Sequence, residues 1–377
     1  MSRAFPDRDD AISTLVGRPR SVLALGVWTN LDRALSHVPS DRIVRMAGER
    51  PSEAEFAGRR FELVLAAASG ASDRAAFVAR ASELLADEGR LIMRLCTESQ
   101  GESLDKTLGA HGLELLEVAV TRSARFAVLR RPPHARPLSL TVGMLTMDEE
   151  ASVAKMIERI RQHAPDARIL CVDSSTKDRT PQIAEGLGAR VIRQLPPRGH
   201  GPAMELLMYE AARESEALVY LDCDFTYPPE DIPKLRRVLE SGADVVNAAR
   251  LRIRPTAMPF ANYLANMTFV ACGRLLCGVP IADLHSGMRG YRSSVIRAFS
   301  FDGAGDALPV DTLLWPARRG FRVVEIPLEY RERVGASKLR KVSGTAWTFV
   351  RLFRALSVGT RRADRYEVWQ NAEPREN

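Results

Sequence analysis

Short apolar runs alternate with longer stretches whose apolar positions recur every three or four residues. A period of two marks a strand and a period near 3.6 marks a helix, so the pattern predicts strands separated by helices. In the first third, SVLALG, RIVRM, FELVLAA and RLIMRL read as strands. Between the last two, SDRAAFVARASELLADEG reads as a helix. Ser72 suits its N-cap, Phe77, Ala81, Leu84 and Leu85 share a face, and Gly89 suits its stop. LELLEVAV and RFAVLR, joined by a short polar turn, predict a hairpin. Alternating strands and helices imply a largely parallel sheet, here with an antiparallel edge.

RRPPHARPLS breaks the pattern with three prolines and four basic residues. A linker is therefore expected at 131–137, between a domain at 1–130 and a second one starting at 138. The alternation then resumes with the strand LSLTVGML. Asp148 suits a helix N-cap, Glu149 and Glu150 complement the helix dipole, and Val153, Met156, Ile157 and Ile160 form one stripe. RILCVD, ARVI and EALVYLDCD read as further strands. Thr180 caps and Pro181 opens the helix in DRTPQIAEGLG, and the loop RGHGPA opens another. Asp173, Asp222 and Asp224 fall at strand carboxyl ends, where parallel sheets bind ligands.

Composition narrows the classes. Apolar residues make up 45% of 377, enough for packed cores and too many for a disordered chain. A net charge of +7 favours anionic partners, yet no aromatic-basic motif points to nucleic acid. Cys96, Cys171, Cys223, Cys272 and Cys277 contain no C-x-x-C pair, so neither a zinc site nor a disulfide scaffold is indicated and a reducing cytoplasm fits. The N-terminus MSRAFPDRDD has no apolar signal core. FANYLANMTFVACGRLLCGVPIA is the nearest approach to a spanning segment, but Asn262, Asn266 and Arg274 interrupt it, so it reads as a buried or surface-lying helix.

The chemistry starts from LDCDFTYPPED. Two acids one residue apart close a buried strand, and buried carboxylates are costly unless paired or metal-bound. The plain alternative is a solvated strand end. TMDEE, VDSSTKDRT, RGHGPA, LDCDFTYPPEDI, SGMRGYR and RVGASKL follow one another over residues 138–340. In that order they resemble the motifs of family-2 glycosyltransferases with the GT-A fold, most closely the dolichyl- or polyprenyl-phosphate hexose synthases. The resemblance implies that Asp224 is the main ligand of a divalent metal, Mn²⁺ or Mg²⁺, with Asp222 beside it. It implies a donor site for a nucleoside diphosphate sugar at Leu145, Met147, Glu149, Asp173 and Asp222. It implies Arg250, Arg289, Arg292 and Lys338 as phosphate ligands for donor or acceptor, with Arg289 also in the catalytic set. Asp311 stands where hydroxyl-glycosylating members carry a general base. The chain departs from the family at Ser174, Thr226, Tyr227 and His200, where an acid, Gln, His and Lys are usual.

The first region resembles an S-adenosylmethionine-dependent methyltransferase that has lost its cofactor site. Of the glycine-rich loop only Gly26 remains, Trp28 fills a position that needs a small residue, and Glu49 is the nearest acid to the second strand end. S-adenosylmethionine binding is therefore not expected. The resulting expectation is an α/β chain of two domains, a Rossmann-like methyltransferase-type sheet followed by a GT-A nucleotide-sugar domain. Residues 341–377 complete it with a helix and a basic tail. In that helix Trp347, Val350, Phe353 and Leu356 fall near one face, with Arg351 and Arg354 beside it. The face suits either packing on the protein or peripheral contact with the inner membrane surface. The implied reaction is inverting transfer of a hexose to a polyprenyl phosphate. A soluble hydroxyl acceptor and an active methyltransferase fused to a binding module remain the alternatives.

Overall fold

The computed structural model describes residues 15–25, 35–36, 38–46, 56, 59–66, 74–95, 111–120, 125–252, 255–333, 341–358 and 366–368. Two compact units divide the chain: residues up to Pro133 with Arg297–Ser300 belong to the first, and His134–Ile296 with Phe301–Val358 to the second.

The first unit is built on a six-stranded sheet of order β2-β1-β3-β4-β6-β5. Its strands are β1 (Val22–Leu25), β2 (Ile43–Met46), β3 (Phe61–Ala66), β4 (Leu85–Leu95), β5 (Glu114–Val120) and β6 (Arg125–Arg130). The first four are parallel, and β5 and β6 form the antiparallel edge. Helix α1 (Arg74–Leu84) is shorter than its apolar pattern implies. Leu85 already pairs with Phe61, and Gly89 lies inside β4 rather than at a helix stop. The reason is steric. A Cβ on Gly89 would stand 2.8 Å from the Ala86 carbonyl oxygen and 3.0 Å from that of Phe61, so the glycine admits close backbone approach. Gly26, Trp28, Glu49, Ser72 and the Phe77 side chain lie outside what is described.

The second unit carries an eight-stranded sheet of order β14-β13-β11-β12-β10-β7-β8-β9. In chain order its elements begin with β7 (Leu140–Thr146), α2 (Glu150–His163), β8 (Arg168–Asp173), α3 (Thr180–Gly186) and β9 (Arg190–Arg193). There follow α4 (His200–Glu214), β10 (Ala217–Leu221), α5 (Ile232–Glu240), β11 (Val245–Ala249) and α6 (Phe260–Cys277). β12 (Met288–Arg292), α7 (Ser293–Arg297), α8 (Leu308–Arg318), β13 (Val323–Pro327), α9 (Lys341–Leu356) and β14 (Tyr366–Val368) complete it. Only β12 runs antiparallel to its neighbours. The α2 stripe behaves as its spacing predicts: Val153, Met156, Ile157 and Ile160 are all buried against the sheet. Asp148 is not the cap of α2. Glu149 takes that position, while the Asp148 carboxylate accepts the backbone N–H groups of Thr176 and Lys177, both at 3.0 Å. The carboxylate serves the next loop because two unpaired amides there need an acceptor.

A polar rung crosses the buried middle of this sheet. Asn247 is in register with Glu325 on one side and Arg289 on the other, and Arg289 faces Tyr220. Asn247 Nδ2 donates to Glu325 Oε1 at 2.8 Å, and Arg289 Nε donates to Asn247 Oδ1 at 2.7 Å. The rung also holds an irregular loop. Glu325 accepts the Ala282 amide at 3.0 Å, and Arg289 and Tyr220 donate to the Leu284 and Ser286 carbonyls at 2.8 and 3.2 Å. Arg252 closes the set on Glu325 Oε2 at 2.9 Å. Glu325→Ala would strand these donors in a dry interior. We expect it to cost about 3–5 kcal/mol of unfolding free energy, read from the denaturation midpoint of the purified variant.

Candidate active site

Strands β7, β8, β10 and β11 all end at one edge of the second sheet, and β12 enters from that same edge. Met147, Ser174, Asp222 and Arg250 are the first residues beyond the four strand ends. The loop 282–287 faces them from β12. Its last residue explains the glycine of the SGMRGYR motif. A Cβ at 287 would stand 2.2 Å from Asp222 Oδ2, and the Gly287 carbonyl accepts the Asp222 amide at 3.1 Å. The Gly287 N–H in turn donates to Tyr227 Oη at 2.6 Å.

Asp224 is buried, and its two oxygens are used differently. One accepts the amide and hydroxyl of Thr226, and the other pairs with Arg333 Nη1 at 2.8 Å. Thr226 thus orients Asp224. Burial first, and the Asp224 charge second, push the Asp222 carboxyl up to about 7, although Arg333 and Arg250 pull against them and Glu149 adds to the rise. Glu149 accepts from Ser152 Oγ at 3.4 Å, and its amide donates to Thr180 Oγ1 at 2.8 Å. Leu145 is half-buried near the end of β7 and Met147 is exposed just beyond it. Asp173 is fully buried and its carboxylate is spent on the protein: it accepts from Thr146 Oγ1 and Ser175 Oγ at 2.7 Å and pairs with Arg193 at 3.2 Å. Its role is to fix the loop after β8.

Arg250 is held from below. Its Nε and Nη2 donate to the two oxygens of Asp283 at 2.7 and 2.8 Å, and the Arg250 amide reaches Asp283 Oδ2 at 3.0 Å. Tyr330 lies under the guanidinium, 5.5 Å from ring centroid to Cζ. Burial alone would raise the Asp283 carboxyl, but the charge and hydrogen bonds of Arg250 outweigh it and hold the group below the usual range.

Two expected phosphate ligands and one candidate base take other roles. Arg289 is fully buried, with donors on Asn247, the Leu284 carbonyl and the Pro309 carbonyl, so it braces the sheet instead of meeting a phosphate. Arg292 pairs across from Ala217, at the far end of β10 from Asp222. It donates to the Ala243, Leu239 and His134 carbonyls and cannot reach the site. Asp311 is enclosed in an ion pair with Arg351 of α9, both residues without solvent exposure. Burial lifts its carboxyl to about 6 despite Arg351. An acid so enclosed is a structural counter-ion, not a base open to a substrate. Lys338 lies outside the described residues.

Asp283 and Arg333 were not singled out by sequence reasoning. A signal for Asp283 existed: it is the sole acid between Asp244 and Asp302, a span with seven arginines. Arg333 had one too, since it opens the RVGASKL motif.

Residues 141–299 match Glycosyl transferase family 2. A dolichyl-phosphate hexose transferase of Haloferax volcanii is 36% identical over 208 residues, covering 55% of this chain and 89% of that protein. The chain is a family-2 glycosyltransferase. The transferase is also 28% identical over 223 residues to a polyprenol monophosphomannose synthase of Mycolicibacterium smegmatis, across 55% of this chain and 84% of that one. Among solved structures, glucosyl-3-phosphoglycerate synthase of Mycobacterium tuberculosis with UDP aligns at 20% identity and a TM-score of 0.47, over 59% of this chain and 81% of that chain. The family match runs from β7 to just beyond α7 and so contains Asp222, Asp224 and Arg250.

The raised Asp222 carboxyl fixes a sign for the transferase. Its folded-state value, about 7, lies above the unfolded value of about 3.9, so the folded state binds the proton more tightly. Stability from this group is fully present at low pH and is lost as pH rises toward 7. We expect Asp222→Asn to gain melting temperature relative to the parent at pH 8, and that advantage to shrink steadily as pH falls from about 7 toward about 4, in paired thermal scans without metal.

Proposed function

We propose that this hexosyltransferase moves a hexose from a nucleoside diphosphate sugar to a polyprenyl phosphate, with inversion at the anomeric carbon and with a divalent cation at Asp222 and Asp224. The donor set fits such a cation. Among the described residues no group of three or more acidic, imidazole or thiol side chains could hold a metal by itself. Two carboxylates form a partial shell, which suits a Mg²⁺-like ion that keeps diphosphate oxygens as further ligands. When bound, the cation would neutralise charge on the leaving diphosphate.

The acceptor half rests on the Asp311–Arg351 pair. A hydroxyl acceptor must lose a proton as it attacks and needs a base. A phosphate monoester is already anionic. One of its oxygens bonds to the anomeric carbon, the bond from that carbon to the diphosphate oxygen breaks, and the electron pair leaves with the nucleoside diphosphate. No proton has to move. Arg250 is suited to orient the incoming phosphate, because Asp283 fixes its plane through Nε and Nη2 and leaves the Nη1 edge for another anion. Arg333 brings a second positive charge beside Asp224. The names of the two relatives, a dolichyl-phosphate hexose transferase and a polyprenol monophosphomannose synthase, agree with this acceptor.

Asp224→Ala is expected to reduce transfer by roughly a thousandfold and to abolish metal-dependent donor binding in calorimetry, while circular dichroism stays native. Chelation of the parent protein should do the same, with recovery on adding Mn²⁺ or Mg²⁺. Near-normal turnover in Asp224→Ala would remove the metal from the scheme.

The acceptor is tested by two variants assayed on polyprenyl phosphate and on the free polyprenol. Asp311→Asn should keep kcat per folded molecule, because the enclosed carboxylate takes no proton from the acceptor. Arg250→Ala should raise KM for the lipid phosphate by about tenfold or more, the loss of one charge-assisted contact. A dead Asp311→Asn with an unaffected Arg250→Ala would identify a hydroxyl acceptor instead.

A further inference from the structure

Among the described residues ten large hydrophobic side chains are exposed, and eight of them lie on α6 and α9. Leu275 is 86% exposed, Phe260 65%, Leu264 56% and Phe353 53%. Of the eighteen residues of α6 only Val270, Gly273 and Cys277 are buried. The two helices make one surface. Phe269 meets Phe349 edge to face at 5.7 Å, and the Cys277 thiol donates to the Leu352 carbonyl at 3.8 Å. On α9 the inward side is Thr348, Arg351, Leu352 and Ala355, so Val350, Phe353 and Leu356 are left facing out. An apolar face of this extent on a folded domain marks a docking site.

Charge identifies the occupant. Residues 250–282, which contain α6, hold four arginines and no acid. Residues 333–363, which contain α9, hold eight lysines and arginines and no acid. Removing these twelve from the chain's 54 basic and 47 acidic residues leaves the remainder net negative. The whole positive excess of the protein therefore resides in the two segments that bear the exposed face. Some of these cations have acidic partners: Arg250, Arg252, Arg333, Arg351 and Arg354 pair with Asp283, Glu325, Asp224, Asp311 and Asp302. Neither segment, however, offers a carboxylate that would repel a phosphate headgroup. A second copy of the chain fits poorly, since it would bring one acid-free basic segment against another. Among the described residues no helix is long and apolar enough to cross a membrane, so these helices would lie along a surface.

We propose that α6 and α9 together form a face that docks flat on an anionic lipid bilayer, the apolar side chains entering the headgroup boundary and the acid-free basic segments that contain the two helices supplying the attraction to lipid phosphates. The docking goes beyond the reaction proposed above and does not require it.

The test is flotation of the full chain, without substrates, with vesicles of phosphatidylcholine alone or mixed with phosphatidylglycerol. The parent should float with the mixed vesicles, less with phosphatidylcholine, and less again at high salt. Leu264→Ser/Leu275→Ser/Phe353→Ser, at three exposed positions, should keep the parent melting temperature and bind vesicles at least about tenfold more weakly. Parent-like vesicle binding by this variant would overturn the proposal. So would a parent that ignores both vesicle types, or one that instead forms a concentration-dependent dimer lost in the variant. Transfer to a short-chain, water-soluble prenyl phosphate should be equal in parent and variant. If neither shows it, the acceptor assignment fails, while the flotation result still decides the docking face.

Discussion

Glu325, Asn247, Arg289 and Tyr220 stand in register across four adjacent strands, and the loop that shapes the site hangs from them. Residues 282–287 have no ladder of their own. Their backbone groups are satisfied instead by side chains that come up through the sheet. Buried polar groups are costly when unpaired, so each member of the rung makes the others affordable. The loop carries the consequence outward. Asp283 fixes Arg250 at one end, and Gly287 makes room for Asp222 at the other. A sheet interior that would ordinarily be aliphatic is polar here because it has an irregular segment to hold.

The edge above this loop concentrates opposed charges. Burial first, then Asp224 and to a smaller extent Glu149, raise the proton affinity of Asp222, while Arg333 and Arg250 lower it. Carboxylates and guanidiniums thus stand side by side, an arrangement that suits a site that must admit anions and a cation together. Fixed, partly buried charges of both signs are already oriented, so little reorganisation is needed when phosphate groups arrive.

Most of the architecture was legible in the chain. The strand and helix patterns held from β7 to β10, and the positions of Asp173, Asp222 and Asp224 at strand ends followed from them. Arginines were read poorly. Arg289 and Arg292 occupy neighbouring motif positions, and in a single chain they look like phosphate ligands. Only the antiparallel course of β12 reveals that one lies inside the rung and the other at the opposite end of the sheet. Long-range pairing of this kind leaves no local pattern. The partner of Asp311 was hidden for the same reason, since it is 40 residues away on a different helix. On α9 the periodicity found the outward apolar side but misread Arg351, which is fully enclosed and not a flanking charge. The end of α1 was hidden by a glycine that suits a helix stop and a close strand crossing equally well.

Arg351 has a bearing on how the polypeptide is made. It donates to the Asp302, Ala304 and Asp306 carbonyls as well as pairing with Asp311. Synthesis proceeds from the N-terminus, so the 302–311 segment exists well before the residue that satisfies it. Until α9 is present, that segment contains a carboxylate with no counter-ion and carbonyls with no donor. The sheet can pair in the meantime, but this corner cannot close. The second unit is thus completed by one of its last elements, and a nascent chain stalled before α9 would present an unfinished polar interior to chaperones and proteases.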